Sequence, residues 1–247
     1  MKFLLLLPVL LWPSFADAEN IKVLSYNVWF DDASGSAFRY QQINALISRE
    51  NADYVCLQEV TPTYLQMLEK AFAAQYHLYD DHIANKRYGN VVLTKAADAR
   101  SRILRLETHM NRNALIVYDQ DYAVVNIHLE SLLTDTRIWE RQIAQINHQV
   151  LHFPKVILCG DVNFGDGERE NARLSAFVDP GQDLAEVTYD VENNPFAQRT
   201  AFYGEPSRRL DRILIKSDPP VVNVRFEVKK VVFSDHYPIV LLFDDRR

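Results

Sequence analysis

Three apolar stretches in this chain run straight into acidic or amide side chains at the point where a strand has to turn. Tyr54-Val55-Cys56-Leu57 leads to Gln58-Glu59, and Val156-Ile157-Leu158-Cys159 leads to Gly160-Asp161-Val162-Asn163. Near the C-terminus Ser234-Asp235-His236 opens into Tyr237-Pro238 and the run 239–243. An apolar run of four to eight residues bounded by turn signals reads as a strand covered on both faces. Several such strands require a layered fold in which sheet is sandwiched by other elements. Burying an unpaired carboxylate beside them costs on the order of several kcal/mol, or forces a large pKa shift, unless a partner or metal takes the charge. Acidic and amide groups gathered at a sheet rim therefore point to a shared cation, and a metal-dependent hydrolase is the reading.

The remaining periodicities fill in the layers. A strand is expected over 21–26, ending at Asn27. A helix follows over 38–50, with Ile43, Leu46 and Ile47 at helical spacing and Asn51 as its left-handed stop. A second helix begins near Thr61-Pro62, where threonine caps and proline suits the first turn. Strands are expected over 90–94, 102–106, 114–118 and 122–127. A long helix then starts near Thr134, with Trp139, Ile143, Ile146 and Val150 on one face. The stretch 165–195 reads as irregular, and strands close the chain at 210–215, 221–232 and 238–243. Helices alternating with strands, and hairpin-like strands in the middle, indicate a layered α/β fold with mixed sheets.

Met1-Lys2, the apolar stretch 3–11 and the small residues Ala16-Asp17-Ala18 read as a cleavable export signal, giving a mature domain of residues 19–247. The apolar stretch is far shorter than the roughly 20 residues that span a bilayer. A secreted or periplasmic protein with no membrane span, acting as a monomer, is the expectation. The net charge of −6 removes any claim from bulk basicity, although basic clusters stand at Lys86-Arg87 and at Arg208-Arg209 with Arg212. Cys56 and Cys159, the two cysteines, lie in apolar runs and read as buried thiols, with a disulfide as the alternative.

Six polar strand ends recur in order: Asn27, Glu59, His128, Asp161 with Asn163, Asp211, and Asp235-His236. Each alone is an ordinary turn residue. Together, Ser25-Tyr26-Asn27, Leu57-Gln58-Glu59, Gly160-Asp161-Val162-Asn163 and Ser234-Asp235-His236 resemble the motifs of the magnesium-dependent endonuclease/exonuclease/phosphatase (DNase I-like) superfamily. His128-Leu129-Glu130-Ser131 and Leu210-Asp211-Arg212-Ile213 are similar to the branch of tyrosyl-DNA phosphodiesterases of the second type. Two positions depart from that branch. Gly165 stands where it usually carries arginine, and the segment 200–204 lacks its tryptophan. The resemblance implies two mixed β-sheets packed face to face with helices outside, a four-layer α-β-β-α sandwich whose site lies where strand ends converge.

The implied chemistry is in-line attack of water on a phosphate ester, most readily in nucleic acid. Mg²⁺, or Mn²⁺ in its place, would be held by Glu59, with Asn27 contributing through its amide oxygen or a water. Asp161 would take a proton from the attacking water and Asn163 would hold that water or a phosphate oxygen. His236, as imidazolium fixed by Asp235, would stabilise the pentavalent phosphorus. By the resemblance His128 is a second donor to the phosphate, with Ser131 near it in the substrate-binding set. Asp211 is expected to steer His128 or a neighbouring strand, or to pair with Arg212 or Arg209. Trp29, Phe30, Phe164 and Tyr203 are candidates to stack on a base. A lipid-headgroup hydrolase of sphingomyelinase type would favour an exposed apolar loop, and no contiguous exposed aromatics are legible in the sequence. A catalytically dead binding protein fits poorly, because every motif position is intact.

Overall fold

Each central strand presents one apolar row to a helix and the other to a second sheet, and this double burial builds the molecule. The computed structural model describes residues 19–131 and 136–245. The export signal expected over 1–18 lies outside these residues. Sheet one holds β1 (Glu19–Asn27), β2 (Tyr54–Val60), β3 (His77–Asp80), β4 (Gly89–Thr94), β10 (Val222–Val228) and β11 (Ile239–Asp245). Sheet two holds β5 (Arg100–Arg105), β6 (Asn113–Tyr118), β7 (Ala123–His128), β8 (Val156–Asp161) and β9 (Asp211–Lys216). The strand orders are β10-β11-β1-β2-β4-β3 and β5-β6-β7-β8-β9. β1 with β2 and β7 with β8 run parallel, and the other neighbours are antiparallel.

Alternation along the strands sorts the core into three layers of contact. Leu24, Tyr26, Val55 and Leu57 face α1 (Ser36–Glu50) and α2 (Pro62–Phe72) outside sheet one. Val125, Ile127, Val156 and Leu158 face α3 (Thr136–Val150) outside sheet two. Val23, Cys56, Val124, Ile157 and Cys159 fill the space between the sheets. This is the α-β-β-α sandwich that the motifs implied.

The cysteines correct the sequence reading. Cys56 of β2 and Cys159 of β8 are bonded, with Cα atoms 6.4 Å apart, and so join the two sheets. Both alternate toward the inter-sheet layer, a coincidence of pleat that spacing in sequence does not reveal. β3 was not foreseen, β10 ends at Val228, short of residue 232, and the stretch after β8 contains the short helix α4 (Pro195–Thr200).

Parallel pairing decides where the site forms. β1, β2, β7 and β8 deliver Asn27, Glu59, His128 and Asp161 to the same end of the sandwich. Between the sheets, Gln58 Nε2 donates to Asn126 Oδ1 at 2.7 Å, and Asn126 Nδ2 donates to the carbonyls of Leu57 and Val91, both at 2.8 Å. This buried amide pair ties the two sheets together directly behind Glu59.

Candidate active site

Two local backbone features aim the acidic side chains. The register of β2 on β4 shifts between Leu57 and Val60, and Glu59 sits there with a positive φ of 60°. Such an irregularity re-aims a side chain that regular pleating would bury. Gly160 has φ 133°, and a Cβ there would lie 1.9 Å from the carbonyl oxygen of Ile127. Only glycine lets β8 approach β7 this closely, which brings Asp161 beside His128.

The surrounding loops are held by a buried cation. Arg39 of α1 donates to the carbonyls of Val28, Trp29, Asp31 and Phe233 at 2.8–3.2 Å. It ties the exit of β1 to the segment that precedes Ser234, whose hydroxyl donates to Asn27 O at 2.7 Å. Thr188 Oγ1 accepts from the backbone N–H groups of Leu210 and Asp211 at 3.0 and 3.1 Å, fixing the start of β9.

Asp161 lies at the centre. Its Oδ2 accepts from Asn27 Nδ2 at 3.1 Å and lies 3.6 Å from His128 Nε2 and 3.7 Å from His236 Nε2. Burial drives its pKa up, against the pull of the His236 charge, to about 6. Asn163, at φ 60°, donates its backbone N–H to Asp161 Oδ1 at 2.9 Å and its amide to Leu129 O at 2.9 Å. Glu59 Oε2 accepts from Phe30 N–H at 3.0 Å, while Oε1 lies 3.8 Å from His128 Nε2. Burial, and then the charge of Asp235, push Glu59 up to about 7 against the opposing Arg112 charge.

The two histidines differ in charge. His236 Nδ1 bonds Asp211 Oδ2 at 2.8 Å. Burial alone would lower its pKa, but the charges of Asp211 and Asp161 outweigh burial and hold it well above the ordinary value. It is an imidazolium whose Nε2–H faces the centre. His128 is shifted the other way, first by burial and then by the charges of Arg112 and His236. Arg112 Nη1 lies 2.9 Å from His128 Nδ1. A guanidinium only donates, so the neutral ring accepts at Nδ1 and carries its proton on Nε2. Both Nε2–H groups therefore converge on the space beside Asp161.

Four expectations need correction. Asp235 does not bond His236; its carboxylate accepts from Thr200 Oγ1 at 3.1 Å and lies 3.2 Å from Ser234 Oγ. Asp211, placed by sequence in the substrate-binding set and expected to steer His128 or a neighbouring strand or to pair with Arg212 or Arg209, is the partner of His236. The antiparallel pairing of β9 with β8 sets Asp211 opposite Asp161, within reach of the ring. Phe164 is fully buried against Trp139 and cannot stack on a base, and Trp29 is buried under Arg39. Ser131 Oγ lies 3.5 Å from Arg112 Nη2 and so joins the His128 side of the site. Asn27 spends its amide oxygen on Trp29 N–H at 3.1 Å and its nitrogen on Asp161. Phe202 and Tyr203 are consecutive and exposed, 72% and 109%, in the turn after α4, so contiguous exposed aromatics do exist.

Sequence reading missed Arg112 altogether. Glu130 explains its placement: its carboxylate accepts from Thr108 Oγ1 at 2.6 Å and His109 N–H at 3.0 Å, and Thr108 Oγ1 accepts from Arg112 N–H at 3.2 Å. The motif residue Glu130 thus holds the loop that carries the arginine. No periodicity marks that loop.

A hard divalent cation fits this chemistry. Two buried carboxylates, Glu59 and Asp161, have pKa values raised chiefly by burial, and a bound cation would offset that cost. The donors are oxygens, as Mg²⁺ requires. Asp161, Asp211 and His236 also bring ligand atoms within 4.8 Å of one another. His236 Nδ1 is engaged by Asp211 Oδ2 at 2.8 Å, which makes these two residues a histidine–carboxylate dyad. Glu59 Oε1 stands 3.8 Å from His128 Nε2, beyond hydrogen-bond distance, which leaves that oxygen available to a cation.

The fold and this cluster define a class of protein. The sequence profile of the Endonuclease/Exonuclease/phosphatase family matches residues 24–236, and the chain belongs to that family, an enzyme class of metal-dependent phosphoric ester hydrolases. Tyrosyl-DNA phosphodiesterase 2 of Danio rerio is 27% identical over 231 residues, covering 84% of this chain and 60% of the relative. The chain thus spans less than two thirds of that protein's length. In fold, the D. rerio TDP2 structure complexed with single strand DNA product matches with TM-score 0.76 at 24% identity, over 92% of this chain and 99% of that one. An endonuclease/exonuclease/phosphatase from Bacteroides vulgatus matches with TM-score 0.73 at 17% identity, over 93% and 100%.

Proposed function

We propose that this chain is an exported Mg²⁺-dependent phosphodiesterase that hydrolyses nucleic acid. The observation that carries the reading is the convergence of two Nε2–H donors of different charge, His128 and His236, on one buried carboxylate, Asp161. A phosphate between them would meet a cationic donor, a neutral donor and a base. Asp161 accepts the proton of the attacking water, with Asn163 orienting it. His236, kept charged by Asp211, and His128, kept neutral by burial and then by Arg112, donate to the phosphoryl oxygens as negative charge grows there. Mg²⁺ held by Glu59, with Asn27 alongside, would neutralise charge on the phosphoryl group and the leaving oxygen. Phe202 and Tyr203, two and three residues beyond the Thr200 that holds Asp235, offer an exposed aromatic step suited to base stacking.

Export is supported by the pattern of the first 18 residues and by the Cys56–Cys159 bond, which persists in oxidising compartments. Among the described residues no helix is long and apolar enough to cross a membrane. The test is product analysis of end-labelled single-stranded DNA, RNA, duplex DNA and a 5′-phosphotyrosyl oligonucleotide with Mg²⁺. Cleavage of at least one is expected. Turnover confined to non-nucleotide phosphoesters would reject nucleic acid as the substrate.

A further inference from the structure

Most clustered arginines in this acidic chain are neutralised. Arg209 and Arg212 are buried against Asp166 and Asp179, and Arg208 pairs with Glu168 and Glu205. They are structural, not available to a ligand. The opposite situation holds in two adjoining cavities of about 440 and 500 Å³ that share Asp81, Lys86 and Arg112 as walls. The first reaches catalytic His128 and includes Arg87; the second runs on to Arg105. Four cations, Lys86, Arg87, Arg105 and Arg112, thus face one carboxylate. That carboxylate, Asp81, is already occupied by Lys86 at 2.8 Å and by Asn90 N–H at 3.1 Å. Among the described residues neither Arg87 nor Arg105 pairs with a carboxylate. Arg87 lies 4.4 Å over the ring of Phe30, which stacks on Tyr88 at 4.7 Å.

We propose that this groove binds the backbone of a polynucleotide strand continuing past the scissile phosphate. The inference rests on the nuclease reading above and adds the extent of substrate engaged. In a chain of net charge −6, a polyanion is repelled by most of the surface. A cleft lined by one sign of charge focuses potential and draws the strand to one path. Guanidinium groups free of carboxylates suit phosphate oxygens. The Arg87–Phe30–Tyr88 stack adds a flat face for a base. Each cavity falls within the range of about 300–1,000 Å³ that accommodates small ligands.

The experiment compares the wild type with an Arg87→Ala/Arg105→Ala double variant, neither residue belonging to the catalytic cluster. Three substrates are used with Mg²⁺: bis(p-nitrophenyl) phosphate, single-stranded DNA and RNA oligonucleotides of matched length, and phosphatidylcholine vesicles. Binding of the same oligonucleotides is also measured by fluorescence anisotropy in chelator. The small diester should be turned over equally, while KM and Kd for oligonucleotide rise in the variant. Two lost phosphate contacts on a single strand reduce the salt slope by about 1.4, so the wild-type advantage should shrink about sevenfold as salt rises fourfold. Equal oligonucleotide KM, Kd and salt slope in both proteins, with nuclease activity intact, would overturn the groove alone. A wild type that cleaves the small diester but no oligonucleotide would instead overturn the nuclease reading beneath it. Vesicle hydrolysis impaired to the same extent as oligonucleotide cleavage would overturn the assignment to polynucleotide.

Discussion

Replacing Asp211 with asparagine isolates the charge that keeps His236 an imidazolium. The carboxylate lies 2.8 Å from His236 Nδ1 in a fully buried setting, whereas Asp235 makes no hydrogen bond to the ring. An opposite charge at this range raises a pKa by roughly 1–3 units, or about 1.4–4 kcal/mol of preference for the charged form. In the proposed mechanism His236 acts when protonated, and its raised pKa would keep it so until pH climbs past the folded-state value. Removing the Asp211 charge lowers that value, so activity should be lost at lower pH. The basic limb of the pH–kcat profile should therefore move down by roughly 1–3 units in Asp211→Asn. Asp235→Asn should move it less, because Asp235 acts on the ring only through charge. Metal-bound water also titrates, so the profile is repeated with Mn²⁺: a limb belonging to His236 stays put, and a limb belonging to water moves. An Asp211→Asn limb that is unchanged or moved upward would refute the dyad, as would a larger displacement from Asp235→Asn.

His236→Ala and Asp161→Asn should each lower kcat by about 100-fold or more, and the double variant should lose less than the product, since both act on one transition state; a fully multiplicative loss would separate their roles. Glu59→Gln should abolish Mg²⁺-supported turnover while circular dichroism and the unfolding midpoint stay close to wild type. Wild-type turnover at every Mg²⁺ concentration would remove Glu59 from the site. Reducing the Cys56–Cys159 bond frees a span of 103 residues, which in the chain-entropy account lowers stability by up to about 4.7 kcal/mol. Guanidinium unfolding of wild type with and without reductant measures this, and a midpoint indifferent to reductant would contradict it.

Sequence patterns located the central strands of the two sheets because double burial makes them continuous apolar runs. They also located Asn27, Glu59, His128, Asp161 and His236, because each is a polar group stranded at the end of such a run. What they could not locate are relationships set by pairing across sheets. Asp211 reaches His236 only through the register of β9 on β8, and Cys56 meets Cys159 only because both pleats turn inward at the same level. Asp235 adjoins His236 in sequence, and adjacency suggested a partnership that the chain direction prevents: its carboxylate points to α4. Arg112 was invisible because the loop 106–113 is ordered by Glu130 rather than by any apolar period. β3 was missed for a different reason. It is four residues long, lies at a sheet edge, and carries no fully buried position to mark it.

A site built on the buried carboxylates Glu59 and Asp161 should hydrolyse phosphodiesters only with a divalent metal. The direct measurement is turnover of a single-stranded oligonucleotide by the chain beginning at Glu19, assayed with Mg²⁺, after chelation, and after Mg²⁺ is restored. Cleavage that disappears with chelator and returns with Mg²⁺, with the fold unchanged throughout, is predicted. Turnover that persists undiminished in chelator, or no phosphodiester cleavage with Mg²⁺ present, would contradict the claim.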